Sequence, residues 1–146
     1  MAETLGMLCD KLTIVKLKEY HTEDTERLKS LKNQSLQLQM EIDEYVNDAL
    51  NGVIPSERLS FDSNKVYKKE GNETRAFNGD FGDLISALAD TNCKLWHTQE
   101  KVYEFDQVAI EDKDKIVKEL AILNLERNQC IDKINTKFSN LIINKK

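Results

Sequence analysis

Two long stretches of this chain contain almost nothing that stops a helix. Its single proline is Pro55, and four of its five glycines fall between positions 52 and 82. Proline and glycine are the strongest local breakers of regular structure, so their confinement to one central segment predicts helices on either side of it. Charged residues make up 32% of the chain and apolar residues 40%, a balance suited to amphipathic, solvated helices. The expected fold is therefore all-α, one domain over residues 1–146, built as a bundle of long antiparallel helices.

Thr4 and Asp80 supply the oxygen-bearing side chains that cap a helix N-terminus. From Ile14 a heptad seam runs through His21, Leu28, Ser35, Ile42 and Ala49, interleaved with Leu17, Asp24, Leu31, Leu38 and Tyr45. This favours one coiled-coil-like helix over about 4–50, about 70 Å long at 1.5 Å per residue. A break near Thr22 to Thr25, where capping residues cluster, is the alternative and gives a hairpin. A helix that long needs the later helices or a second copy of the chain to cover its seam, so a homodimer is expected. Residues 51–79 read as an irregular crossover, within which Lys65 to Phe77 suit a small hairpin around Gly71-Asn72. Such a connection serves equally as a spacer or a binding loop. Helices follow over about 80–108 and 111–142, the last capped by Asp112 or Asp114, and together they form an antiparallel pair.

An internal recurrence marks the candidate site. Thr4-Leu5-Gly6-x-Leu8-x-x-x-Leu12 with Lys18-x-Tyr20-His21-Thr22-x-Asp24 aligns with Asp80-Phe81-Gly82-x-Leu84-x-x-x-Leu88 with Lys94-x-Trp96-His97-Thr98-x-Glu100, 76 residues later. His21 and His97 are the only histidines. On a helix an acid three residues beyond a histidine faces it and can fix its tautomer, as a general base or a metal ligand requires. The same pairing also serves packing alone. Two copies related by a pseudo-twofold would bring the imidazoles together, with Tyr20 and Trp96 as packing or stacking rings. A weaker echo relates Leu31, Leu36, Ile42 and Asp43 to Leu120, Leu125, Ile131 and Asp132.

Asp10, Lys11 and Asn92 share the helical region of the motif, either as internal pairs or as part of an asymmetric ligand site. Lys11, Lys16 and Lys18 form a locally basic strip that is a solvated face or a phosphate contact, and Lys94 is a second candidate for phosphate. A net charge of −5 opposes duplex nucleic-acid binding. Cys9, Cys93 and Cys130 are an odd number without metal-ligand spacing, which reads as free thiols in a reducing cytoplasm. No apolar run reaches the length of a membrane span. Two histidines with scattered acids give no metal site, and no cofactor is identified. Gly-rich phosphate loops and catalytic nucleophile motifs are missing as well.

Leu8-Cys-Asp-Lys-Leu-Thr-Ile-Val-Lys-Leu-Lys-Glu-Tyr-His21, with Asn92-Cys-Lys-Leu-Trp-His97-Thr-Gln-Glu100 and Leu125-Glu-Arg-Asn-Gln129 followed by Ile131-Asp132, resembles a family of small helical domains of unknown function. Members of that family occur in bacteria and phages, often encoded beside glycosyltransferase and surface-polysaccharide genes. The resemblance implies a helical fold and a glycan-related setting. This chain departs from the family pattern at Cys9, where an apolar residue is usual, and at Gln99-Glu100, where the pattern has Glu-Asp.

Three functions follow in order of expectation. The first is a non-enzymatic binding or assembly module with a ligand or protein partner at the histidine motifs. The second is an enzyme or accessory factor acting on a phosphorylated sugar or nucleotide, with His21 or His97 as acid/base and Lys11, Lys18 or Lys94 on phosphate. The third is a nucleotide pyrophosphohydrolase using Glu41, Glu44, Asp83 and Asp90 on magnesium.

Overall fold

A computed structural model describes residues 3–61 and 77–145. The described chain is an all-α bundle of four helices: α1 (Leu5–His21), α2 (Thr25–Leu50), α3 (Phe81–Tyr103) and α4 (Ile110–Lys145). Single 3-10 turns at Ser56–Arg58 and Phe105–Gln107 lie in the connections. The hairpin expected from Lys65 onward lies outside the described residues.

The single helix over 4–50 is not what forms. Thr22 is extended, with φ −81° and ψ 140°, and ends α1 while its amide still donates to Lys18 O at 3.0 Å. Its hydroxyl accepts from the Asp24 amide at 3.3 Å, and Asp24 Oδ1 accepts from the amides of Glu26 and Arg27 at 3.0 and 3.2 Å. Side chains that satisfy the free amides of a new first turn make restarting cheap, and the heptad seam does not outweigh them. α2 therefore folds back along α1. Its seam residues Leu31, Ser35 and Ala49 are buried within the chain.

α2 ends in a Schellman motif. Gly52 takes φ +75°, its amide bonds Ala49 O at 3.3 Å, and that of Val53 bonds Asp48 O at 2.9 Å. The crossover is anchored at both described ends, since Leu59 and Phe77 are buried in the core. Asp80 caps α3, and its amide donates to Asp83 Oδ2 at 3.0 Å. α3 ends at Tyr103, short of position 108, with the turn at Phe105–Gln107 in place of its last helical residues. α4 starts at Ile110, so Asp112 lies in its first turn, where the helix dipole favours an acid, and neither Asp112 nor Asp114 is the cap.

Contacts along the helices fix their directions. Gly6 and Asp10 of α1 meet Asn135 and Arg127 of α4, while Asp10 and His21 meet Asn92 and His97 of α3. α1 thus runs antiparallel to α4 and parallel to α3, giving an up-down-up-down order. The main core fills the end where α1 begins. There Leu5, Cys9 and Ala49 pack with Leu84, Leu88, Ile134, Phe138 and Ile142. α1 approaches α4 closely at Gly6, where an added Cβ would lie 2.5 Å from Ile131 O and 2.8 Å from Asn135 Oδ1. The Gly6 amide donates to Asn135 Oδ1 at 2.7 Å, so only glycine permits both the approach and this bond.

Candidate functional site

The opposite end of the bundle gathers the aromatic and imidazole side chains. α1 stops at His21 because of the Thr22 to Asp24 break, so His21 stands on its last turn and is exposed. Its ring lies flat on the Trp96 indole of α3, with centroids 4.8 Å apart and planes 9° from parallel. His97 presents its ring edge-on to His21 at a centroid distance of 6.0 Å, and Tyr20 does the same from the neighbouring position at 5.2 Å. Tyr20 is 85% exposed. Four rings from two helices thus make one solvent-facing cluster, and offset or edge-to-face pairs of this kind contribute about 0.5–1.5 kcal/mol each beyond buried area.

The two segments aligned in the sequence sit in different surroundings. Asp24, expected to face His21 one turn along a continuous helix, belongs instead to the N-terminus of α2, where its Oδ1 is taken by backbone amides. Glu100 keeps the i+3 position, yet its Oε1 lies 4.0 Å from His97 Nδ1, beyond hydrogen-bond range. Thr22 ends a helix, whereas Thr98 is buried and its hydroxyl contacts Glu119 Oε1 at 3.4 Å. His21 also lies off the apolar seam on which the heptad reading placed it. The acid partner that general-base or metal chemistry needs is supplied to neither ring by the expected residue.

The remaining candidates divide between a buried network and the open surface. Asp10 is 4% exposed, and it pairs not with a lysine but with Arg127 of α4. Arg127 Nε and Nη2 donate to Asp10 Oδ1 and Oδ2 at 2.8 and 2.5 Å. Asn92 Nδ2 donates to Asp10 Oδ1 at 2.9 Å and to Thr13 Oγ1 at 2.8 Å. The bidentate carboxylate raises the Arg127 pKa, chiefly through its hydrogen bonds, and the network ties α1 to α3 and α4. Asp10 and Asn92 therefore do meet, as an interior link between helices.

Lys11 is engaged by Glu3, and Lys94 by Asp90 at 3.2 Å on the same helix. Lys18 is exposed on the last turn of α1, beside His21. Of the acids of the magnesium reading, Asp83 holds the Asp80 amide, Asp90 pairs with Lys94, and Glu41 accepts from Gln37 at 3.3 Å within α2. Among the described residues no group of three or more His, Cys, Asp or Glu side chains is placed to hold a metal ion.

Arg127, quoted within Leu125-Glu-Arg-Asn-Gln129 for the resemblance, is the residue to which the sequence reading gave no role. Its signal lies in the periodicity of α4, where Leu123, Cys130, Ile131 and Ile134 are buried and position 127 falls on the same stripe. A cation at such a position calls for a buried anion, and Asp10 is the buried acid of α1.

No family model, curated protein or solved structure matches this chain. The resemblance to the glycan-associated helical family rests on the motif residues alone. Among the described residues no helix is long and apolar enough to cross a membrane.

Proposed function

We propose that this chain is a non-enzymatic binding module that docks a protein partner on the ring cluster of Tyr20, His21, Trp96 and His97. The observation that carries the reading is the exposed stack of His21 on Trp96 with His97 edge-on beside it. Small-molecule and catalytic sites enclose most of their ligand in a concave pocket. Exposed rings at Tyr20, His21 and His97 over a half-buried Trp96 suit the flat anchors of a protein interface, where tyrosine and tryptophan dominate the binding energy.

The acid/base reading is weaker because Asp24 serves α2 and Glu100 lies 4.0 Å from His97. The phosphate reading loses Lys11 and Lys94 to carboxylates of the chain itself. The glycan-related setting of the resembling family would make the partner a component of polysaccharide assembly.

Selection of a displayed random-peptide library on the wild-type protein, with counter-selection on the His21→Ala/His97→Ala variant, tests the proposal. The expected result is a consensus peptide that changes Trp96 fluorescence and binds the variant at least tenfold more weakly. Peptides that bind both proteins equally, or turnover of a nucleotide sugar lost in the variant, would overturn it.

A further inference from the structure

The outer face of α2 carries a charge pattern complementary to itself when reversed. Its inner face, through Leu31, Ser35 and Ala49, packs within the chain. At 100° per residue the opposite stripe comprises Lys29, Lys32, Asn33, Leu36, Met40, Asp43 and Asn47, with Glu44 at its edge, and all eight are exposed. Leu36 and Met40, 59% and 70% exposed, form an apolar centre. Lysines lie on the N-terminal side of that centre and acids on the C-terminal side.

We infer that this face docks against the same face of a second copy, antiparallel, about a twofold axis at position 38. Leu36 and Met40 stand two residues either side of that position, Lys32 and Glu44 six, and Asn33 and Asp43 five. Reversal about the axis therefore lays Leu36 level with the partner's Met40 and Lys32 against the partner's Asp43, about 9 Å from the axis at each end. Parallel pairing would place lysine on lysine and acid on acid, a repulsive arrangement. The interface is narrow, its apolar part limited to two residues per copy, so the association is weak and salt-sensitive.

This inference is independent of the docking proposal, since the ring cluster lies beyond the N-terminal end of α2. It does give the module a geometry. The twofold sends the two ring clusters to opposite ends of the dimer, about 40 Å apart along the paired helices, so that one dimer bridges two partners.

Sedimentation equilibrium across protein concentration tests the inference, with four chains that differ only at exposed positions. Wild type should dimerise reversibly, and more weakly as salt rises. Lys29→Glu/Lys32→Glu and Asp43→Lys/Glu44→Lys should each self-associate at least tenfold more weakly, while an equimolar mixture of these two variants should recover the wild-type affinity. The quadruple variant carrying all four reversals should also self-associate like wild type. Helical circular dichroism and melting temperature verify that every chain is folded. A wild type that stays monomeric at every concentration, or a dimer indifferent to the paired reversals, would overturn the inference.

Discussion

The imidazole of His21 covers the indole of Trp96 at a centroid distance of 4.8 Å, across the junction of α1 and α3. Trp96 is the only tryptophan, so the tryptophan fluorescence of the chain reports on its surroundings. His21→Ala should shift the Trp96 emission to longer wavelength as water replaces the imidazole. The stack contributes about 0.5–1.5 kcal/mol, so the melting temperature should move by only a few degrees. An unchanged emission spectrum would mean that the rings do not touch in solution.

Removing one member of the Asp10–Arg127 pair should be far more damaging than removing the stack. Asp10→Ala leaves a half-buried guanidinium without its carboxylate and should cost about 2–3 kcal/mol in denaturant unfolding. Arg127→Met combined with Asp10→Leu should recover most of that loss, because replacing both charges removes the unpaired group. A double variant as unstable as Asp10→Ala would show that the network is more than a paired charge.

The helical signal was plain in the sequence because it depends on local chemistry. Thr4 and Asp80 were recognisable as caps, and the breakers marked the crossover by their composition. The turn at Thr22 to Asp24 was ambiguous for a physical reason: a heptad seam rewards continuity, the capping side chains reward a break, and only the competing burial of α2 against α1 decides between them. That decision also moved Asp24 away from His21, which altered the candidate site. The meeting of His21 with His97 depends on tertiary packing, as does the partner of Asp10, and Arg127 stands 117 residues from Asp10 along the chain.

Gly6 and Gly82 each lie in the first turn of a helix but should respond oppositely to alanine. A Cβ at Gly6 would meet Ile131 O at 2.5 Å, whereas one at Gly82 meets nothing within 4 Å. Gly6→Ala should destabilise by about 2 kcal/mol through overpacking, despite its better helix propensity. Gly82→Ala should stabilise by about 0.5 kcal/mol. Urea midpoints of the two variants check both signs.

The three free thiols should separate kinetically. Cys9 and Cys130 are buried, and Cys93 is partly exposed. Burial, with Asp10 adding to it, pushes the Cys9 pKa up to about 11. With an aromatic disulfide reagent near pH 8, Cys93 should react first and the other two only as the chain opens. The raised pKa means that the fold favours the neutral thiol, so this stabilising preference is complete below about pH 9, the ordinary thiol value, and is lost as pH rises through about 11. Cys9→Ala should flatten the decline in stability between those limits.

The proposal rests above all on α1 turning back at Thr22 so that His21 reaches α3. Nuclear Overhauser contacts between side-chain protons test this most directly. The account predicts cross-peaks from the His21 imidazole to both the Trp96 indole and the His97 ring, together with an upfield ring-current shift of the His21 protons that Trp96→Leu abolishes. Cross-peaks from His21 only to residues of its own helix, with no shift in Trp96→Leu, would contradict it.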